Sequence, residues 1–317
     1  MTTRDRPAAP PENHAGETST RSFRVNAAEF PAPRLVPGLH VVATPIGHLG
    51  DVTLRALETL AAADLIACED TRVTRVLTDR YAVRAPLLSY NDHNAAERRP
   101  RLLEMLAEGR AVVLVSDAGT PLVSDPGYRL VGEALAAGHR VIPVPGASAM
   151  LAALVASGLP SDAFLFAGFL APKSEARRHR IEELARVPAT LIFYESPHRL
   201  ADCLADLAAV LGDARAGVVA RELTKHFEEV VRAPLGDLAR TFAARTVKGE
   251  IVVLVGPPAE EVTAATDVDA MLRAALRRQP PGRAVAEVAR LTGADRKALY
   301  ERALALKAEI TSDGEGR

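Results

Sequence analysis

Residues 111–127 read AVVLVSDAGTPLVSDPG, and this stretch sets the pattern for much of the chain. Its five consecutive apolar residues are typical of a strand buried on both faces, as in a parallel sheet. A loop with two prolines and two aspartates follows, and a segment with helical periodicity begins at Tyr128. Small residues let a ligand approach the backbone closely, and carboxylates accept its hydrogen bonds. The pattern predicts a ligand-binding loop at a strand end; the alternative is an ordinary turn, since Gly, Pro, Asp and Ser are common turn residues.

A phosphate site is the less favoured interpretation of this loop. Residues 116–127 contain neither the lysine of a P-loop nor the three-glycine spacing of a dinucleotide-binding turn. Their two aspartates would also repel a phosphate group. The loop therefore favours a ligand that tolerates negative charge.

Composition limits the class of protein. The chain has 317 residues, of which 48% are hydrophobic, which predicts a globular protein of about two domains. Its formal net charge of -1 gives no global attraction to nucleic acid, so any basic surface must be local. Two cysteines favour a reducing compartment. Because no secretory signal or long uncharged apolar run is evident, we expect a cytoplasmic protein without a membrane span.

Four regions follow one another along the chain. Residues 1–36, rich in Pro, Ala, Ser and Thr, predict a flexible tail. Apolar strands alternate with helical segments over residues 37–158 and again over 159–258, which predicts two α/β domains. A linker and a small helical module at 266–310 complete the chain. The predicted strands are 39–43, 64–68, 87–90, 111–115 and 141–144 in the first domain, and 164–167, 190–194, 217–220 and 251–255 in the second.

Two segments are locally basic. Between residues 272 and 307, lysines and arginines outnumber acids by nine to three, which fits either an RNA-facing module or a solvated helical face. Residues 173–180 carry four cations that suit phosphate contacts, with Arg199 extending the track; the alternative is a solvated helix paired with Glu182 and Glu183. The four cations are Lys173, Arg177, Arg178 and Arg180.

Several short motifs resemble those of a known family. They are ATPIGHL at 43–49, EDTR at 69–72, the 116–127 loop, PGASA at 145–149, LIFYESPHR at 191–199 and ARELTK at 220–225. Together they make residues 38–255 similar to the tetrapyrrole methylase family of S-adenosylmethionine-dependent methyltransferases, and in particular to its ribosomal RNA branch. His48 and Ala147 depart from the asparagine and proline usual in that branch.

The resemblance implies an enzyme with two α/β domains, a cofactor cleft between them and a small C-terminal helical module. Its cofactor would be S-adenosyl-L-methionine, whose positive charge suits the acidic 116–127 loop. The contacts carried over by position are Pro45, Asp117, Ala118, Gly119, Thr120, Val123, Ser148, Ala149, Tyr194, Ala220 and Gly249.

The same resemblance implies 2′-O-methylation of the ribose of a cytidine in the decoding region of 16S rRNA. The substrate would be the assembled small ribosomal subunit, and the enzyme a homodimer. Two alternatives remain open: a methyltransferase that acts on a tetrapyrrole precursor, and a non-catalytic ribosome-assembly factor that retains the fold without the chemistry.

A ribose hydroxyl is a poor nucleophile at neutral pH, so a base or an orienting cation is useful. We favour the turn formed by Glu69 and Asp70 as the base and Lys225 as the orienting cation. Asp70 can instead cap the following helix and pair with Arg72. The other candidates are Glu195 and the pair Glu222 with Lys225, which can instead be a local ion pair. No metal is expected, because the cysteines and histidines lack the spacing of a zinc site.

Overall fold

The computed structural model describes residues 21–122, 127–258 and 268–314. These divide into two compact units, within Met1–Pro257 and Pro258–Arg317. The strands are β1 (Ser22–Val25), β2 (Ala28–Pro31), β3 (Gly38–Val42), β4 (Leu65–Cys68), β5 (Leu87–Ser89), β6 (Ala111–Val115), β7 (Val141–Val144), β8 (Phe164–Phe169), β9 (Thr190–Glu195), β10 (Ala216–Arg221), β11 (Glu229–Pro234) and β12 (Ile251–Val255). The α-helices are α1 (Leu54–Ala62), α2 (Thr71–Arg80), α3 (Ala95–Ala107), α4 (Tyr128–Ala136), α5 (Ala149–Ser157), α6 (Ser174–Leu184), α7 (Leu200–Leu211), α8 (Leu235–Ala243), α9 (Val268–Leu276), α10 (Pro281–Thr292) and α11 (Arg296–Gly314).

The first half of the larger unit is built on a parallel sheet with strand order β5-β4-β6-β3-β7. All five residues of the central strand β6 are buried, as its continuous apolar sequence predicted. The loops that follow β3, β4, β6 and β7 leave the same edge, because the carboxyl ends of parallel strands lie together. Four of the motif segments are therefore brought to one side of the sheet.

The second half contains a mixed sheet with strand order β11-β10-β12-β9-β8, in which only β8 and β9 are parallel. The predicted α/β class is confirmed, but the edge strand β11 was not predicted. Its sequence EVVRAP carries charges at Glu229 and Arg232 and ends in proline. An edge strand tolerates these residues because one side of it has no ladder partner.

The N-terminal region differs from its prediction. Strands β1 and β2 form an antiparallel hairpin, where the sequence predicted a flexible tail over residues 1–36. Phe23 is buried in the core of the first half, and the Arg24 amide donates to the Tyr81 carbonyl at 2.7 Å. The Arg21 guanidinium also pairs with Asp64 at 3.0 Å. The tail prediction is therefore wrong for the hairpin, while residues 1–20 lie outside the described residues.

The smaller unit packs helices α9, α10 and α11 around an apolar core. Its buried side chains are Leu272, Ala275, Ala284, Val285, Val288, Leu299, Ala303 and Leu306. Gly293 ends α10 at a φ of 69°, a left-handed conformation that glycine adopts without strain. Within the described ranges, no helix has both the length and the apolar character needed to cross a bilayer.

Helices α6 and α7 are joined by a buried ion cluster that corrects one site prediction. Arg177, only 3% exposed, donates from Nε to the Asp206 carboxylate at 2.7 Å. Arg178 donates to the other carboxylate oxygen at 2.5 Å, and the Ser174 hydroxyl donates as well. Arg177 is thus a structural residue, and its predicted RNA contact is wrong. Local sequence suggested Glu182 or Glu183 as a partner, whereas Asp206 comes from the next helix.

Replacement of Asp206 by asparagine should destabilise the protein strongly, because the buried Arg177 guanidinium would lose its counter-charge. We expect a loss of about 3–5 kcal/mol in the free energy of unfolding, measured by urea denaturation at pH 7. The matched control is Asp202→Asn, an exposed acid in the first turn of the same helix, for which we expect a loss below about 1 kcal/mol. Equal effects of the two substitutions would contradict the assignment.

The same cluster makes the unfolding free energy depend on pH. Burial raises the pKa of Asp206, but hydrogen bonds from Arg178, Ser174 and Arg177 outweigh it and hold that pKa below its ordinary value. A carboxyl with a lowered folded-state pKa stabilises the protein above its unfolded-state pKa. This contribution should fall as the pH drops through the lowered value, and the fall should be absent from the Asp206→Asn variant.

Candidate functional site

The loop after β6 is fastened to its neighbours by backbone and hydroxyl hydrogen bonds. Thr44 and Gly119 exchange two backbone hydrogen bonds, at 2.8 and 3.0 Å. The Thr120 hydroxyl donates to the Ala147 carbonyl at 3.1 Å, which ties this loop to the loop after β7. Gly119 has a φ of 80°, and a Cβ there would lie 3.2 Å from Ile46 Cγ2. Three strand-end loops therefore form one wall with fixed geometry.

That wall encloses a central cavity of about 470 Å³, which both halves of the larger unit line. Nine of the predicted cofactor residues face it: Asp117, Ala118, Gly119, Thr120, Ser148, Ala149, Tyr194, Ala220 and Gly249. Pro45 does not; it lines a neighbouring space, here named the helix-α2 cavity. Val123 lies outside the described residues.

Several lining residues were absent from the sequence-based set, among them Phe169 and Glu250. Phe169 lies on the edge strand β8, and its ring centroid is 5.7 Å from that of Tyr194. Glu250 follows Gly249 immediately and faces both the central and the helix-α2 cavities. The sequence offered a weak signal for Phe169, an aromatic residue at the end of a strand, and none for Glu250.

Asp117 occupies the junction of the site. Its carboxylate accepts a hydrogen bond from the Asp70 amide at 2.9 Å, and the residue lines the central cavity and two adjoining ones. Burial raises the pKa of Asp117 above its ordinary value. A carboxylate of raised pKa is a better proton acceptor than an ordinary aspartate.

Asp70 has the opposite character. Its side chain caps α2 by accepting from the Arg72 amide at 2.8 Å, and the Arg72 guanidinium donates to both carboxylate oxygens. The hydrogen bonds from Arg72 lower the pKa of Asp70 to about 2. The capping interpretation is thus confirmed, and Asp70 is a weak base. Glu69, its neighbour in the predicted pair, lines the central cavity.

Lys225 is held in a strained turn after β10. Glu222 and Thr224 have φ values of 52° and 65°, in the left-handed region that non-glycine residues rarely adopt. Lys225 Nζ donates to Glu222 at 2.8 Å and to Glu250 at 3.0 Å, so the predicted ion pair is present. Burial lowers the pKa of Lys225, but these two carboxylates outweigh it and raise that pKa. Lys225 is therefore a fixed cation beside the helix-α2 cavity.

Two glycines let this turn approach its neighbours. A Cβ at Gly47 would lie 2.5 Å from Lys225 Cγ, and the His48 amide donates to the Thr224 hydroxyl at 3.1 Å. A Cβ at Gly249, whose φ is 92°, would overlap the Glu222 carboxyl group. The first half and the strained turn thus meet in direct contact.

The remaining predicted RNA contacts have mixed surroundings. Arg199 donates to the Leu170 carbonyl at 2.6 Å and pairs with the buried Glu195 at 3.3 Å, so it supports the cavity wall. Arg180 pairs with Glu183 at 2.5 Å, as the solvated-helix alternative predicted. Lys173 is exposed. Within the described residues, no group of three His, Cys, Asp or Glu side chains is arranged to hold a metal ion.

Comparison with known proteins gives two family matches. Residues 38–239 match the family described as Tetrapyrrole (Corrin/Porphyrin) Methylases, and residues 262–307 match the RsmI C-terminal HTH domain. A relative from Mesorhizobium japonicum, named ribosomal RNA small subunit methyltransferase I, is 55% identical over 293 residues, which cover 92% of this chain and 99% of the relative.

Two solved structures share the fold. The methyltransferase CobJ is 28% identical with a TM-score of 0.55, over 69% of this chain and 94% of its own. The uroporphyrin-III C-methyl transferase of Thermus thermophilus, complexed with S-adenosyl homocysteine, is 22% identical with a TM-score of 0.51, over 72% and 99% of the two chains.

The Asp70 and Arg72 contact can be tested directly. We expect the Asp70 carboxyl to titrate at a pH of about 2 in the wild-type protein. In Arg72→Gln, which removes the charged donor, its midpoint should rise towards the ordinary aspartate value. Carbon-detected NMR titration of the side-chain carboxyl measures both midpoints. An unchanged midpoint would show that Arg72 does not set the ionisation of Asp70.

Proposed function

Because the chain belongs to the tetrapyrrole methylase family, and within it to the small-subunit ribosomal RNA methyltransferases, we propose that it methylates the ribose 2′-hydroxyl of a cytidine in 16S rRNA. S-adenosyl-L-methionine would be the methyl donor. The family match and the relative of nearly equal length support the reaction class. The decoding region of the assembled small subunit is the substrate that the motif resemblance implies.

The central cavity carries this proposal, because its lining fits the cofactor. S-adenosylmethionine bears a sulfonium and an ammonium group, both attracted by carboxylates. Asp117, Glu69 and Glu250 line the cavity, and no lysine or arginine is among its described lining residues. Ile46, Leu223 and Val252 offer apolar surface to the adenine ring. The small residues at 118–119, 148–149 and 220 leave room for a ligand to approach the backbone.

The cofactor supplies an activated methyl group, so the protein must mainly orient the acceptor oxygen and remove its proton. As the new O–C bond forms and the S–C bond breaks, the hydroxyl proton must pass to a base. We assign this role to Asp117, with Glu69 beside it in the cavity, and not to the strongly acidic Asp70. Orientation of this kind can contribute about 7–11 kcal/mol at best.

Lys225 is proposed to orient the acceptor nucleotide. Its ammonium group is fixed by Glu222 and Glu250, and it faces the helix-α2 cavity. A fixed cation can bind a phosphate or ribose oxygen without loss of side-chain entropy on binding.

Further RNA contacts are proposed for exposed cations only. The candidates are Lys173, Arg180 and the exposed part of Arg178. Arg177 is not among them because it is buried, and Arg199 is not because its guanidinium is hydrogen-bonded within the cavity wall. The basic helical module is a second candidate, supported by its match to an HTH domain.

We also propose that the enzyme is a homodimer and acts in the cytoplasm, where its ribosomal substrate is found. Exposed apolar side chains support self-association: Leu151 is 44% and Val155 is 81% exposed on α5, and Phe164 is 43% exposed on β8. Leu151 and Val155 are four residues apart and so share one face of α5, and exposed apolar surface is typical of protein interfaces.

The proposed reaction is tested by mass mapping of ribose methylation after small ribosomal subunits are incubated with protein and cofactor. Methylation of one cytidine in 16S rRNA is the expected result. Methylation of a tetrapyrrole precursor instead would favour the alternative enzyme. Calorimetry with S-adenosylhomocysteine separates the non-catalytic alternative, since an assembly factor that has lost the chemistry need not bind it.

The role of Asp117 predicts a pH dependence. If its carboxylate accepts the proton, the single-turnover rate at saturating cofactor should fall as the pH drops through its raised pKa, above the ordinary aspartate range. Asp117→Asn should lower the rate about 100-fold or more, and it should abolish this acidic limb of the pH–rate profile. Asp70→Asn should retain the limb but shift it to lower pH, because the charge of Asp70 helps to raise the pKa of Asp117. A limb that persists in Asp117→Asn would assign the base elsewhere.

A further inference from the structure

The helix-α2 cavity, of about 480 Å³, adjoins the central cavity, and it is lined by the proposed base Asp117 and the proposed orienting cation Lys225. The two share Ile46, Asp117, Ala118 and Glu250 among their lining residues. A molecule in the helix-α2 cavity would therefore contact the proposed base Asp117 next to the central cavity. A methyl acceptor must reach both the base and the methyl group, so this junction is a suitable place for its hydroxyl.

The floor of this cavity is apolar and unusually exposed. Val73 and Val76 project from α2 with 43% and 59% of their surfaces exposed, next to the buried Leu77. The rim contains Arg72, whose side chain is 89% exposed, and Lys225. Apolar surface beside fixed cations suits a nucleoside, because a base and sugar can pack on the valines while phosphates face the cations.

The cavity continues into a second space, here named the hairpin cavity, through the shared residues Gly47, Leu49 and Lys225. The hairpin cavity measures about 690 Å³. Val25 and Asn26 of the N-terminal hairpin line one side of it, while Arg80 and His226 also line it. Arg80 is exposed and forms no ion pair with any residue that the structure describes. Phe227 is 67% exposed and contacts His226 edge-on, with 4.8 Å between the two ring centroids.

We propose that these two cavities form one groove for a single strand of RNA. The acceptor nucleoside would occupy the helix-α2 cavity and a flanking nucleotide the hairpin cavity. This rests on the proposed function and adds the substrate path. The hairpin, which the sequence alone did not predict, would then serve as the outer wall of the groove.

The charge distribution favours RNA over a compact anionic ligand. At the inner end Arg72 pairs with Asp70 and Lys225 with Glu250, so Asp117 is the carboxylate there for hydroxyl and amino donors. Arg80 lines the hairpin cavity at the outer end, where a strand would place a flanking phosphate. A ligand carrying many carboxylates would meet repulsion at the inner end.

The test uses wild-type protein and small ribosomal subunits as the probe, with single-turnover methylation measured over a range of subunit concentration and salt. Arg80→Gln should raise the half-saturating subunit concentration roughly tenfold and reduce the salt slope by about one. The matched control, Arg101→Gln, removes an exposed arginine of α3 outside both cavities and should behave as wild type.

A second pair of variants, both at Val76, tests the apolar floor of the helix-α2 cavity. Val76→Asp places a charge on exposed surface, so the variant should still fold. The charge should weaken subunit binding roughly tenfold. Val76→Thr, whose side chain has a similar shape, should bind subunits as the wild type does. Calorimetry with S-adenosylhomocysteine should give wild-type affinity for all four variants.

Unchanged half-saturation and salt slope in both Arg80→Gln and Val76→Asp would overturn the groove while leaving the enzyme assignment intact. Failure of the wild-type protein to methylate subunits would instead overturn the proposed function, and the groove with it.

Discussion

The packing of helix α5 on the second sheet is the interaction on which the site depends. This helix belongs by sequence to the first half, but its residues Ala153 and Leu154 are buried with Ile192, Val218 and Leu254 of the second. The helix AMLAALVAS carries no charge, so its inner face enters a sheet surface at no electrostatic cost. The Arg232 guanidinium of β11 then donates to the Ser157 carbonyl at 3.0 Å and to the Ala156 carbonyl. A cation at a helix C-terminus is favourable, and this one fixes where α5 ends against the sheet. This contact therefore sets the spacing between the loops on either side of the central cavity.

Sequence patterns predicted the parts of the fold whose information is local. The strand at 111–115 could be recognised because five apolar residues in a row have few alternatives. Six of the nine predicted cofactor residues that line the central cavity follow such strands, and the other three lie in or just before strands of the second sheet. Strand β11 and the N-terminal hairpin escaped prediction because their short, partly polar sequences owe their structure to partners distant in the chain. Phe23 is ordered by the first core, and β11 by its ladder with β10. The predicted RNA contact at Arg177 was wrong for the same reason. Its partner Asp206 lies on another helix, so nothing near Arg177 in the sequence indicates that it is buried.

The strained turn after β10 shows how the two walls of the site are held together. Left-handed conformations at Glu222 and Thr224 cost about 1–3 kcal/mol each, so other contacts must compensate for them. The Glu222 carboxylate accepts from the Glu250 amide at 3.0 Å as well as from Lys225, and the Thr224 amide donates to Glu228 at 2.6 Å. These contacts need Gly47 and Gly249, because any side chain there would occupy the same space. The strain and the two glycines are consequences of one requirement, that this turn lie against the first loop.

Asp70 and Asp117 illustrate how neighbouring carboxyl groups acquire different functions. The two are joined by one hydrogen bond, yet Arg72 and the helix terminus lower the pKa of Asp70 while burial raises that of Asp117. The negative charge of Asp70 also contributes to the raised pKa of Asp117, since two adjacent carboxylates disfavour double ionisation. Asp70 thus stays ionised as a cap, and its permanent charge keeps the neighbouring group basic. Divergence of two carboxyl pKa values within one site is a physical basis for dividing structural and proton-accepting roles. In the proposed reaction the EDTR motif would therefore act through Asp117, which lies 47 residues further along the chain and meets it only in the folded protein.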